Sequence, residues 1–475
     1  MLLGDGCDDM SEPVAAGGGW LYSCRHEVGP HGWDATTLNR TDGTPAGTAE
    51  IYFDLPWGGS SQPRELTARR GGIVFTTSEN DWDAARSDGT EAGTYPLTYS
   101  GTGELGGFWG GVQLPDGEIV FPSGAQDVGE GQLFRTDEDF VSAVGVFDFG
   151  EDGPLELTRV GDEVFFVAEA LWKTDGTANG TSVVRPGLSG FELTDVFGKL
   201  WLAEGHSWGT VTSLWESAGT FATTSSHPLD FAMDSDEPNG LTPLDPATGS
   251  FAFRAAGGLY LFDPVADEAR RFKDLAPTAP PHYSPFPRAV VDETIFFFDG
   301  DADGTCALWR SDGTAAGTVK VKNIGVRGCL PIEIVAMGGR VYFRGCDTAA
   351  GCELWRSDGT PAGTGRLADF DHGIFSSMPS NLTVVDDRIY FSACGAARGC
   401  EPWVTTGTAA GTHRLADIAP GATSSGISQL TASGPLVFFA ANDDRTGTEL
   451  WAMPLEIFYD GFETGNVSRW DPPTP

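Results

Sequence analysis

Short apolar runs recur along the chain without the polar alternation of a sheet that has one wet face. They read VFFVA at 164–168, IFFF at 295–298, VYF at 341–343 and LVFFA at 436–440. Successive side chains of a strand point to opposite faces, so adjacent apolar residues need cover on both sides. The run ELW, at 353–355 and again at 449–451, sets Leu354 beside Trp355 and makes the same demand. Within 380–418 four strands can be read: SNLTVV, RIYFSAC, EPWVTTG and THRLADI, with a turn at Asp386 and Asp387 after the first. Small antiparallel sheets stacked face to face around an axis cover both faces of each strand.

Aligning the chain on the Trp of ELW places that position at Asn39, Ala85, Phe134, Trp172, Trp215, Tyr260, Trp309, Trp355, Trp403 and Trp451. The intervals are 46, 49, 38, 43, 45, 49, 46, 48 and 48 residues, in the range of four-stranded propeller blades and longer than most β-solenoid coils. The expected fold is therefore all-β: a propeller of about ten four-stranded antiparallel blades over residues 1–455, with a tail at 456–475. Two smaller propellers are the alternative. After ELW at 449–451 no fourth strand is evident, and LLGD at 2–5 matches RLAD at 414–417, the fourth strand of an earlier copy. Residues 1–5 are thus expected to complete the tenth blade and close the ring. Met1 would then lie inside a strand, so the natural chain is expected to begin further upstream, with an export signal.

A longer phrase recurs around several of these Trp positions. ELWRSDGTPAGT at 353–364 returns as ALWRSDGTAAGT at 307–318 and ALWKTDGTANGT at 170–181, with echoes RTDGTPAGT at 40–48 and RSDGTEAGT at 86–94. Asp-Gly suits a tight turn between the third and fourth strands, since Gly accepts positive φ and Asp bonds nearby backbone N–H groups. Every blade needs that turn, whereas one ligand site needs residues that differ between blades, so the phrase reads as scaffold. The chain resembles the bacterial ELWxxDGT-repeat proteins, known mostly as secreted or surface proteins without an established activity. The match weakens at QLFRTDEDF (132–140), SLWESAGTF (213–221) and GLYLFDPVADEARRF (258–272), where blade geometry is expected to deviate. IFYDGFETGNVSRW at 457–470 resembles a short tail that ends many exported bacterial proteins, and this implies a place outside the cytoplasm.

Charge narrows the partners. With 29 Lys and Arg against 67 Asp and Glu, the net charge is −38, which argues against nucleic acid. No run approaches the ~18 apolar residues of a membrane span. Among eight cysteines, Cys346 and Cys352 recur in register as Cys394 and Cys400. Neither pair has metal or redox spacing, so both are expected to be disulfides stapling second-to-third-strand hairpins, in an oxidising compartment. Cys306 holds the same register opposite Gly300, and is expected to bond Cys329; Cys7 is expected to bond Cys24.

In such a blade the repeated turns lie on one face and the variable loops on the other, where a ligand site is expected. There DGDADGT at 299–305 places Asp299, Asp301 and Asp303 at the spacing that wraps calcium, with Gly304 at the bend. The twelfth and ninth positions, Arg310 and Ala307, lack the acid that would complete either known loop, so a solvated acidic hairpin tip is the competing reading. No H-E-x-x-H, G-x-S-x-G or Walker-type motif occurs, and no catalytic or cofactor-binding residue stands out. The expectation is an exported or cell-surface binding module for an extracellular ligand or protein, with glycan as one candidate. The alternatives are a polysaccharide lyase or hydrolase with acids at the channel mouth, and a structural envelope protein.

Overall fold

The structure is a computed structural model. It describes residues 9–455 apart from 12, 17–18, 29–32, 52–63, 70, 78–82, 100–102, 107–109, 126–128, 138–141, 151–152, 205–212, 230–238, 256, 276–286, 301–304, 328–332, 348–349, 369–375, 396–397, 434–435 and 445–447. Ten antiparallel blades follow one another in a single ring, each built outward from strand a to strand d. Blade 8 is representative: Ile334–Met337, Arg340–Asp347, Gly351–Ser357 and Gly365–Arg366. Blade 10 has three strands among the described residues, Ser428–Ser433, Leu436–Asn442 and Thr448–Pro454. The tract expected to supply its fourth strand, residues 1–5, lies outside the described residues.

The Trp register holds in every blade. Asn39, Ala85, Phe134, Trp172, Trp215, Tyr260, Trp309, Trp355, Trp403 and Trp451 each sit on strand c opposite an apolar or aromatic residue of strand b. Those partners are Tyr22, Phe75, Phe121, Phe166, Leu202, Phe253, Phe297, Phe343, Phe391 and Phe439. Strand b is buried on both faces, as Val164 to Val167 illustrate, because each blade is covered by both neighbours. Blade 1 packs on blade 10: Tyr22 and Cys24 share a core with Phe438, Ala440, Leu450 and Ala452, and Trp20 lies 4.9 Å from Phe438. One ring, not two propellers, accounts for that contact.

The weak copies still form blades. Blade 6 replaces the Asp-Gly turn with Asp263, whose carboxylate accepts the N–H groups of Val265 and Ala266. Blade 3 uses Asp137, which accepts from the Ser142 N–H and hydroxyl. The larger departure lies before blade 3. Thr98–Tyr99 runs parallel to that blade's outer strand, and Gly103–Gly106 bridges Asp83 of blade 2 and Ala125 of blade 3, fusing the two sheets.

The repeated turn is a closed hydrogen-bond circuit. In 357–364 the Ser357 and Thr364 hydroxyls bond across the strand ends at 2.6 Å, and Ser357 Oγ accepts the Gly359 N–H. Asp358 Oδ1 accepts from both the N–H and the hydroxyl of Thr360, whose own Oγ1 accepts the Gly363 N–H. The hydroxyl clamp recurs at 2.6–2.8 Å as Thr41–Thr48, Ser87–Thr94, Thr174–Thr181, Ser217–Thr224, Ser311–Thr318 and Thr405–Thr412. Gly359, at φ +84°, presses on the preceding blade: a Cβ there would stand 3.1 Å from Arg310 and 3.3 Å from Phe296.

Those circuits predict acid sensitivity. The Thr hydroxyl and N–H hold the carboxyls of Asp42, Asp312 and Asp358 below the ordinary range. A depressed folded pKa contributes stability above the unfolded value, and that contribution is lost as pH falls. Melting temperature is therefore expected to drop below about pH 4. The triple variant Asp42→Asn, Asp312→Asn, Asp358→Asn should show a flatter acid limb in a pH series of thermal melts; an unchanged limb would refute this assignment.

Candidate functional site

The face opposite the repeated turns carries the b-to-c loops and the connectors from each outer strand to the next inner one. On blades 8 and 9 it is built around a buried acid. Glu353 and Glu401, the Glu of the two ELW-type copies that follow a cysteine, are 0% and 1% exposed. Glu353 accepts from the N–H of Ser377 at 3.1 Å and from its hydroxyl at 2.6 Å. Glu401 accepts the N–H of Ile418 at 2.8 Å and of Ala419 at 3.3 Å. Burial pushes the Glu401 pKa above the ordinary range, outweighing the N–H donors and the Ser425 bond that favour its charge.

The neighbouring cysteine completes this clasp. Cys352 accepts the Met378 N–H through its carbonyl and donates its own N–H to the Ser376 hydroxyl. Cys400 treats Ser425 and Ser424 in the same way. The connector then reaches forward: the Ser377 carbonyl accepts from Cys394 of blade 9, and the Ser425 carbonyl from Asn442 of blade 10. Cys346–Cys352 and Cys394–Cys400 are disulfides between directly opposed residues, with Cα atoms 3.9 and 3.7 Å apart. Each staples the hairpin whose strand c grips the connector.

Sequence reasoning overlooked this clasp, although its signal is present. CELW is followed by SSMPSNLT and CEPW by SSGISQLT, with both halves displaced by 48 residues. A second overlooked phrase is the tripeptide ending in Leu-Thr on strand a: ELT at 65–67, 156–158 and 192–194, GLT at 240–242, NLT at 381–383 and QLT at 429–431. A bulge there aims its first residue at the next blade. Glu156 accepts the Leu193 N–H, Glu192 the Gly240 N–H and Glu333 the Leu382 N–H, while Asn381 donates to the Ile427 carbonyl. The inner acids thus zip neighbouring blades together. At blade 7 the direction reverses, and Arg288 reaches back to Thr242.

The Trp of strand c is scaffold as well. Trp403 and Trp451 donate to the carbonyls of Ala393 and Ala441, each at 3.1 Å. Arg185, Lys273 and Lys322, from the outer strand of the preceding blade, lie over Trp215, Trp309 and Trp355 at 5.1, 4.4 and 5.7 Å.

Of the calcium residues, Asp301 and Asp303 lie outside the described residues. Asp299 is buried and paired with Lys273, so a cation at its carboxylate would compete with that lysine. It sits opposite Ala307, on the rung where blades 8 and 9 place Glu353 and Glu401 on the other strand. Cys306 stands opposite Gly300 and, like Cys24, is disulfide-bonded; the expected partners Cys329 and Cys7 lie outside the described residues. Among the described residues, no helix is long and apolar enough to cross a membrane.

No family model matches the sequence, and no curated protein matches it. Solved structures do match. A puromycin-hydrolysing peptidase of Mycobacterium tuberculosis is 14% identical, with 83% of this chain and 57% of the peptidase covered, at a TM-score of 0.35. AztD of Citrobacter koseri is 15% identical over 69% of this chain and 89% of its own, at 0.38. TolB of Acinetobacter baumannii is 12% identical over 64% and 79%, at 0.27. The match spans less than three fifths of the length of the peptidase.

Proposed function

We propose that this chain is an ELWxxDGT-type repeat protein, exported or displayed at the cell surface, that binds an extracellular ligand on the face of its loops and connectors. The asymmetry of the two faces supports this reading. On the turn face the repeated side chains are spent within their own circuits. On the other face, buried clasps on blades 8 and 9 hold the repeated Ser-Ser ends of two connectors whose preceding stretches, FDHGIF and IAPGAT, differ, so a fixed frame presents variable residues. The disulfides favour an oxidising compartment. Glycan is the first ligand class to test. A panel of immobilised polysaccharides is expected to retain the protein and release no product. Release of oligosaccharides would replace this reading with a polysaccharide lyase or hydrolase, and neither retention nor product would favour a structural envelope role.

A further inference from the structure

The rung that carries the two hairpin disulfides repeats through four consecutive blades. It pairs Gly300 with Cys306, Cys346 with Cys352, Cys394 with Cys400 and Asn442 with Thr448, each pair 6 positions apart. Blades 7 and 10 thus close the same hairpin without a bond between the opposed residues, so hairpin geometry does not require one. A cross-link over so short a loop also restricts the unfolded chain little. The two disulfides coincide instead with the Ser-Ser connectors. Cys352 and Cys400 grip those connectors through their own backbone N–H and carbonyl groups.

Accessibility separates these two bonds from the other bonded cysteines. Cys346, Cys352, Cys394 and Cys400 are half-buried at the hairpin ends, whereas Cys24 and Cys306, also disulfide-bonded, are 3% and 0% exposed. Thiol–disulfide exchange begins with a thiolate reaching a sulfur, so access decides which bond reacts. The two sites are also joined to each other. The Ser377 carbonyl, on the connector gripped by Cys352, accepts the Cys394 N–H at 2.7 Å, so loosening the first clasp is felt at the second disulfide.

We propose that Cys346–Cys352 and Cys394–Cys400 are reaction sites for a dithiol, and that their redox state sets how firmly the connectors at 376–378 and 424–425 are held on the loop face. A thiolate of the dithiol attacks one sulfur and expels the other cysteine as a thiolate. The second thiol then displaces the protein from the mixed disulfide, so that the dithiol ends as a disulfide and each cysteine, with a proton, as a thiol. Two electrons and two protons pass from the dithiol to each bond. The hairpins survive, as they do in blades 7 and 10, and only the grip on the connector weakens. The reaction itself needs no ligand; its use as a control on binding rests on the loop face being the binding face.

The test treats the folded protein with dithiothreitol, alkylates it and maps the peptides. Cys346, Cys352, Cys394 and Cys400 are expected to be alkylated while Cys24 and Cys306 stay protected, with one cooperative melt retained. The amides of Met378 and Cys394 should exchange hydrogen about tenfold faster and recover on reoxidation. No alkylation of the four, alkylation of all six together, or unchanged hydrogen exchange at Met378 overturns the proposal. The double variant Cys346→Ser, Cys352→Ser should show the faster Met378 amide without any dithiol, and an amide as slow as in the natural chain counts against it. Should that variant fail to fold, the arms on the natural chain decide. None of these readouts involves a ligand, so a failure of the binding reading leaves them unchanged.

Discussion

Replacing Glu353 with alanine is expected to destabilise the protein by about 2–4 kcal/mol, a large effect for a residue type that is usually exposed. The substitution removes the acceptor of the buried Ser377 N–H and the closer of two acceptors of its hydroxyl, which keeps only the Cys352 carbonyl at 3.4 Å. A buried donor left unsatisfied costs about 1–3 kcal/mol, part of which water entering the vacated space would recover. Glu353→Gln keeps one acceptor oxygen and should lose roughly half as much. Denaturant unfolding gives the magnitude and hydrogen exchange its location: the amides of Ser377 and Met378 should lose protection well before strand b of blade 8. Glu401→Ala should act in the same way on Ile418 and Ala419. A loss below about 0.5 kcal/mol would mean that the connector is held by other contacts.

The second large effect is expected at the last glycine of the repeated phrase. A Cβ on Gly363 would overlap the Asp358 carboxylate, and the same overlap recurs between Gly317 and Asp312 and between Gly180 and Asp175. Gly363→Ala must therefore displace Asp358 from Thr360 or open the turn, at about 2–3 kcal/mol. Gly365, two residues on, has open space around its Cβ position, so Gly365→Ala should stay within about 0.5 kcal/mol. Equal losses at the two sites would show that backbone freedom, not the carboxylate, is what the phrase protects.

These expectations mark how far the chain could be read in advance. Blade count and Trp register were legible because apolar periodicity is local and recurs, and even Asn39 and Ala85 fell opposite Tyr22 and Phe75. The Asp-Gly turn was legible because its bonds span only 357–364. Glu353 was not, since its partner lies 24 residues away on a connector with no periodicity. Nor was Glu192, whose partner Gly240 belongs to the next blade, 48 residues on. The strand fusing blades 2 and 3 at Gly103–Gly106 has no counterpart among the described residues, so the repeat does not announce it. On the loop face, the spacing of Asp299, Asp301 and Asp303 could be read from the sequence, but the ion pair between Asp299 and Lys273 could not, because Lys273 lies on the preceding blade.

The inner-strand bonds also give the ring a sense of rotation. Glu156 reaches to Leu193, Glu192 to Gly240, Glu333 to Leu382 and Asn381 to Ile427, each time from one blade to its successor. A unit that closes its own turn and offers one forward handshake can be copied in tandem: the duplicate meets the grip of the blade before it and extends the same grip to the blade after. The circumference can then change by whole repeats of 38 to 49 residues, and the reversed Arg288–Thr242 bond shows that a joint also holds with the opposite sense. Such a ring is a counted assembly written in one chain, and its bore is set by the number of copies.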